Sequence, residues 1–170
     1  MVKPSKKEIL ERARKIKMII FDFDGVFTDN RVLVFEDGKE AVFCNRGDGH
    51  GLKLLKETGI SILVLSTEAN PVVNARCKKL NLRCVQACEN KLKVLENEIQ
   101  KFNLKADEIA YLGNDVNDLE CLRAVGFAAC VADAHSSVLK CCIYKTASKG
   151  GNGAVREFCD FIMEANNKKG

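Results

Sequence analysis

A doubly wound α/β fold, with a mostly parallel sheet between two layers of helices, is the fold class this chain predicts. Three observations carry the prediction. Short apolar runs recur along the chain, and each is followed by a longer segment with helical periodicity. Those segments are long enough to act as right-handed crossovers, which parallel strands need. The polar residues best suited to chemistry stand directly after the apolar runs, at the sheet edge where such folds bind ligands.

The elements follow in order. Residues 4–17 read as a short amphipathic helix with Pro4 and Ser5 near its start. The apolar run from Met18 to Phe21 belongs to a buried strand over 17–23. Segments 31–35 and 40–44 pair as a hairpin around Asp37-Gly38, the strongest short hairpin signal. A helix over 48–58 stops at Gly59, and 61–66 is a second buried strand. Next come a helix over 70–80 with Pro71 in its first turn, a short strand over 83–86 and a helix over 90–102. A strand over 109–112, a helix over 115–125 and a strand over 127–131 follow. The chain closes with a short helix over 136–141, a small strand at 143–144, the loop Gly150-Gly151-Asn152-Gly153 and a helix over 153–166. No repeat or linker divides it, so residues 1–170 read as one domain, with a helix within 1–16 and a hairpin insertion at 30–45.

At 170 residues, with 46% hydrophobic and 29% charged content, the chain has the makings of a full core. The net charge of +4 is mild, and the lysines clustered over 3–17 and 168–169 read as solvated helix faces. With two Tyr and no Trp there is little for nucleobases to stack on, so no nucleic-acid partner is expected. No apolar run is long enough for a membrane helix, and the basic N-terminus lacks the apolar stretch of a signal peptide. Nine Cys, an odd number with no C-x-x-C pair, predict buried, reduced thiols in a cytoplasmic protein.

The first apolar run leads into Asp22-Phe23-Asp24-Gly25-Val26-Phe27-Thr28. Alternate strand residues share a face, so Asp22 and Asp24 point the same way and repel unless a cation or proton lies between them. A plain turn, a metal site and an acid/base pair all fit that segment alone. Further along, the second strand ends in Ser66-Thr67, a helix begins with Lys91, and the strand over 109–112 enters Gly113-Asn114-Asp115-Val116-Asn117-Asp118. Taken singly, Ser66 reads as a strand-end cap, Lys91 as a solvated lysine and the glycine turn as an N-cap. Together they suit phosphoryl transfer: a carboxylate to attack phosphorus, a hydroxyl and amides for its oxygens, a lysine for transition-state charge, and a hard cation between two anions.

Asp-x-Asp-Gly-Val-x-Thr, Ser66, Lys91 and Gly-Asn-Asp-x-x-Asp, in that order, resemble the four motifs of the haloacid dehalogenase superfamily. The hairpin, Arg46-Gly47-Asp48-Gly49-His50-Gly51, Ala132-Asp133-Ala134-His135 and the glycine-rich loop through Glu157 are similar to its capless branch. That branch holds 3-deoxy-octulosonate 8-phosphate phosphatases, nonulosonate 9-phosphate phosphatases of sialic acid biosynthesis, and the phosphatase-like domain of acylneuraminate cytidylyltransferases. The resemblance implies Asp22 as nucleophile, Asp24 as acid/base, and Ser66, Thr67 and Lys91 on the phosphoryl group. It implies Mg2+ on Asp22, the Asp24 carbonyl and Asn114, with Asp115 able to share the role, since Asn114 stands where most members carry Asp. Thr28, Arg46, Asp48, Glu68, Arg76, Lys79 and Arg156 are its candidates for binding the sugar acid. Thr67-Glu68 stands where octulosonate phosphatases carry Gly-Arg, so the leading expectation is a nine-carbon nonulosonate phosphate, with the eight-carbon octulosonate or a non-catalytic oligomerisation module as alternatives. With no room for a cap, the resemblance implies a homotetramer built through the hairpin, whose neighbouring subunits complete the site.

Overall fold

The computed structural model describes residues 4–167. The lysines at 3, 168 and 169 lie outside the described residues.

Six strands form one parallel sheet: β1 (Met18–Phe21), β4 (Ser61–Leu65), β5 (Arg83–Val85), β6 (Ile109–Gly113), β7 (Phe127–Cys130) and β8 (Tyr144–Lys145). Their order in space is β5-β4-β1-β6-β7-β8. The chain thus builds outward from β1 through β4 to β5, then returns to β1's other side with β6. That reversal opens a crevice between the carboxyl ends of β1 and β6, the ligand-binding position of doubly wound sheets. β1, β6 and β7 are buried throughout, because helices cover both sheet faces.

On one face lie α1 (Lys6–Ala13), α2 (Arg46–Glu57) and α7 (Ala154–Asn167), with α3 (Pro71–Lys79) beside α2. On the other, α4 (Lys91–Lys101) packs on α5 (Leu119–Ala124), and α5 on α6 (Ser136–Cys141). The predicted elements all occur, with boundary shifts that have local causes. α2 starts at Arg46 rather than residue 48, because Asn45 accepts the Gly47 N–H and caps it. The helix predicted over 115–125 is a 3-10 turn, Val116–Asp118, followed by α5, because Asp118 folds back onto backbone amides of the turn.

The hairpin is shorter than predicted. β2 (Leu33–Val34) and β3 (Glu40–Ala41) pair antiparallel around Asp37-Gly38, where Gly38 takes φ 81°. A lone two-stranded ribbon is marginal in water, which accounts for the short ladder. Val32, Leu33, Val34, Phe35 and Phe43 on it are all about half exposed or more. All nine thiols are free, five of them buried. No helix among the described residues is long and apolar enough to cross a membrane.

Candidate active site

Asp22 extends β1 by one residue, its N–H donating to Leu112 O at 3.0 Å. The chain then turns sharply: Gly25 adopts φ 74°, and its N–H donates to Thr28 Oγ1 at 3.1 Å. Asp22, Asp24, Asn30, Thr67, Asn114, Asp115, Val116 and Asn117 line a cavity of about 190 Å³ at the crevice. Three separate loops, those after β1, β4 and β6, therefore meet at one point.

The floor of the site is a buried charge cluster. Lys91 Nζ, at the first position of α4, donates to Asp22 Oδ1 and to Asp118 Oδ1, each at 2.7 Å. All three side chains are almost wholly buried. Burial, and then the Asp118 charge, push the Asp22 carboxyl above its usual range, while Lys91 pulls it back. Burial works against the Lys91 charge, but Asp22 and Asp118 outweigh it and hold its ammonium above the ordinary value. Asp24 is less enclosed; burial, and then the charge of Glu68, raise its carboxyl. A carboxyl that holds its proton more readily suits a general acid.

Ser66 caps β4 and is buried; its Oγ accepts the Glu68 N–H at 3.0 Å and keeps its own proton for donation. Glu68 is exposed, and its Oε1 accepts the Asn70 N–H at 2.8 Å. Asn70 Nδ2 in turn donates to Glu40 Oε2 of β3 at 2.9 Å, which ties the hairpin to this loop.

Asn114 Oδ1 is buried and lacks a hydrogen-bond partner. A Cβ at position 25 would stand 2.0 Å from Asn114 Nδ2, so the glycine leaves the space the amide occupies. An orphaned oxygen at a cavity shared with Asp22 and Asp24, whose lining holds no His or Cys, fits a hard cation such as magnesium. Among the described residues no three His, Cys, Asp or Glu side chains converge as metal ligands. Asp115 borders the cavity, with Oδ1 accepting the Val116 N–H at 2.7 Å.

Several sugar-binding candidates prove to be placed differently. Thr28 is fully buried and accepts the amides of Gly25 and Asn30, so it closes the loop instead of facing a ligand. Asp48 is buried between α2 and α7, where Oδ1 accepts the Arg156 N–H at 3.0 Å and caps α7. The Arg156 side chain pairs with Asp160 one turn along. Lys79 ends α3, about 12 Å of helix from its start at the site edge, and lines a different hollow with Gly49, Lys53 and Glu57. Arg76, halfway along α3, donates from Nη2 to Asn45 O at 2.8 Å, and its Nε is buried without a partner. Arg46 is exposed at the start of α2. Asp118 received no role from the sequence, although it is the last residue of Gly-Asn-Asp-x-x-Asp. Tyr111, which hydrogen-bonds Asp118, gave no signal beyond an aromatic in a buried strand.

Comparison with known proteins agrees with this geometry. The signature of the haloacid dehalogenase-like hydrolases matches residues 52–169. The 3-deoxy-D-manno-octulosonate 8-phosphate phosphatase KdsC of Escherichia coli K12 is 30% identical over 166 residues, covering 97% of this chain and 88% of its own. The Moraxella catarrhalis 3-deoxy-D-manno-octulosonate 8-phosphate phosphatase, solved with magnesium, phosphate and KDO, is 32% identical, with a TM-score of 0.92 over 96% of this chain and 94% of that one. The Yersinia pestis enzyme of the same name gives 31% and 0.93, over 97% and 90%. The chain belongs to the haloacid dehalogenase-like hydrolases. Within them it is a phosphatase-type enzyme of the capless branch similar to the octulosonate 8-phosphate phosphatases.

Proposed function

We propose that the chain is a magnesium-dependent phosphatase of a 3-deoxy-2-ulosonic acid phosphate, with the eight-carbon octulosonate 8-phosphate as the leading substrate. The observation that carries it is the Lys91 ammonium bridging Asp22 and Asp118 beside the orphaned Asn114 oxygen. Asp22 attacks phosphorus while the bond to the sugar oxygen breaks, and Asp24 gives that oxygen its proton. Asp24 then takes a proton from water, whose oxygen attacks the aspartyl-phosphate and frees inorganic phosphate and Asp22. Lys91, the Ser66 hydroxyl and the loop amide of Thr67 hold the phosphoryl oxygens. Magnesium, held by Asp22, the Asp24 carbonyl and Asn114, would offset the mutual repulsion of anionic enzyme and anionic substrate.

The relatives named above support the eight-carbon acid over the nine-carbon acid that the sequence put first. One observation keeps the nonulosonate 9-phosphate as a second reading: Glu68, an acid at the rim whose charge reaches Asp24. The exposed apolar hairpin supports assembly with further copies, in which a neighbour walls the open site; that the assembly is a tetramer is what the family resemblance implies. The test is phosphate release from octulosonate 8-phosphate and from nonulosonate 9-phosphates with magnesium present. A higher kcat/KM on the eight-carbon ester is expected; a higher one on a nine-carbon ester selects the second reading. Turnover retained by Asp22→Asn would overturn the mechanism.

A further inference from the structure

β6 is buried along its whole length, and its one polar side chain is that of Tyr111. In register it lies between Ile20 of β1 and Ala128 of β7. Phenylalanine would fill this place with no hydroxyl to satisfy, and a buried hydroxyl is tolerated only when hydrogen-bonded. The partner is Asp118: Tyr111 OH donates to its Oδ1 at 2.7 Å.

That oxygen also accepts from Lys91 Nζ at 2.7 Å, and Oδ2 accepts the N–H groups of Asn114 at 2.9 Å and Asp115 at 3.4 Å. An ionised carboxylate offers about four acceptor positions, so those of Asp118 are filled. Strand alternation puts Gly113 on the same face as Tyr111, and a Cβ there would come within 2.5 Å of Asp118 Oδ2. β6 therefore shapes the seat of Asp118 twice, with a hydroxyl at one position and a missing side chain two residues on.

We propose that Tyr111 is a positioning residue for phosphoryl transfer. Its hydroxyl pins Asp118, so that Lys91 spans Asp118 and Asp22 and directs its third N–H at the transferring phosphoryl group. Two of the three ammonium donors are engaged with the two carboxylates. Without the tyrosine hydroxyl, Lys91 alone holds Oδ1, the carboxylate can turn, and the ammonium follows it. The proposal rests on the phosphatase chemistry and holds for either sugar.

The experiment compares Tyr111→Phe with the unaltered chain on a chromogenic aryl phosphate with magnesium, and measures binding of vanadate and of inorganic phosphate. A positioning role predicts a fall in kcat of at least about fivefold with KM within about twofold. It also predicts at least about fivefold weaker vanadate binding with phosphate binding within about twofold, since the pentacoordinate mimic depends on alignment. A smaller fall in kcat, or parallel losses for vanadate and phosphate, overturns the proposal. An unaltered chain inactive on every phosphate monoester overturns the phosphatase reading instead. If Tyr111→Phe does not fold, 3-fluorotyrosine at both tyrosines keeps the ring and makes a stronger donor. A change in kcat of about threefold or more, retained when Tyr144 is Phe, then supports the proposal, and a smaller one overturns it.

Discussion

Gly25→Ala tests whether Asn114 is the oxygen ligand on which the site depends. The perturbation is one methyl group. It would stand 2.0 Å from Asn114 Nδ2 and 2.7 Å from Cγ, where ordinary contact begins at 3.4 Å. The amide must therefore retreat by about 1.4 Å, far more than the roughly 0.2 Å that metal–oxygen distances tolerate. The φ of 74° adds about 1–2 kcal/mol of backbone strain for any residue with a Cβ. Even lost outer-sphere partners weaken metal binding by about 10–100-fold, so displacing a direct ligand predicts a loss at least that large. Calorimetric titration with magnesium reads the affinity, and thermal melting reports the fold. Magnesium affinity within about twofold of the unaltered chain, in a folded variant, would refute the assignment of Asn114.

Two further outcomes are expected. Burial pushes the Asp48 carboxyl up to about 6, against the pull of the Arg156 amide and the Arg76 charge. The folded chain then holds a proton there that the unfolded chain releases, so this group favours folding most below about pH 4 and loses that contribution as pH rises to 6. Asp48→Asn keeps an acceptor for the Arg156 amide and removes the buried charge. It should stabilise the fold at pH 8 by roughly 1–3 kcal/mol, the gain fading toward pH 4; denaturant melts across pH would show the reverse if the Arg76 attraction dominates. If the hairpin builds the proposed assembly, Val34→Asp with Phe43→Ser should lower the molar mass seen by light scattering and reduce kcat/KM, because a neighbour would no longer wall the site. Unchanged mass would remove the hairpin from assembly.

The sheet and the principal site groups were legible because both are written in local pattern. Met18–Phe21 followed by Asp22-Phe23-Asp24 is a buried strand and its edge, and nothing distant is needed to recognise either. Ser66, Lys91 and Asn114 follow the same rule, each just past an apolar run or opening a helix. What was not legible depends on partners far along the chain. Asp48 and Thr28 are polar residues in distinctive motifs, and their spacing does not disclose that they bond the α7 amide and the Gly25 turn. Lys79 shares a helix with Arg76, but only the direction of α3 shows that its last turn has left the ligand edge. The role of Asp118 required the 3-10 turn, which two acids three residues apart do not reveal.

Lys91 links two carboxylates that lie 69 and 27 positions away in the chain. None of these charges can meet until β1, α4 and the turn after β6 have all docked. The proposed catalytic centre therefore has no local existence, and no sub-segment carries a weakened version of it. Any opening that lifts α4 from the sheet strips two buried acids of their shared counter-charge at once. Catalytic competence is in this sense a property of the whole cooperative unit, lost and regained with the fold itself.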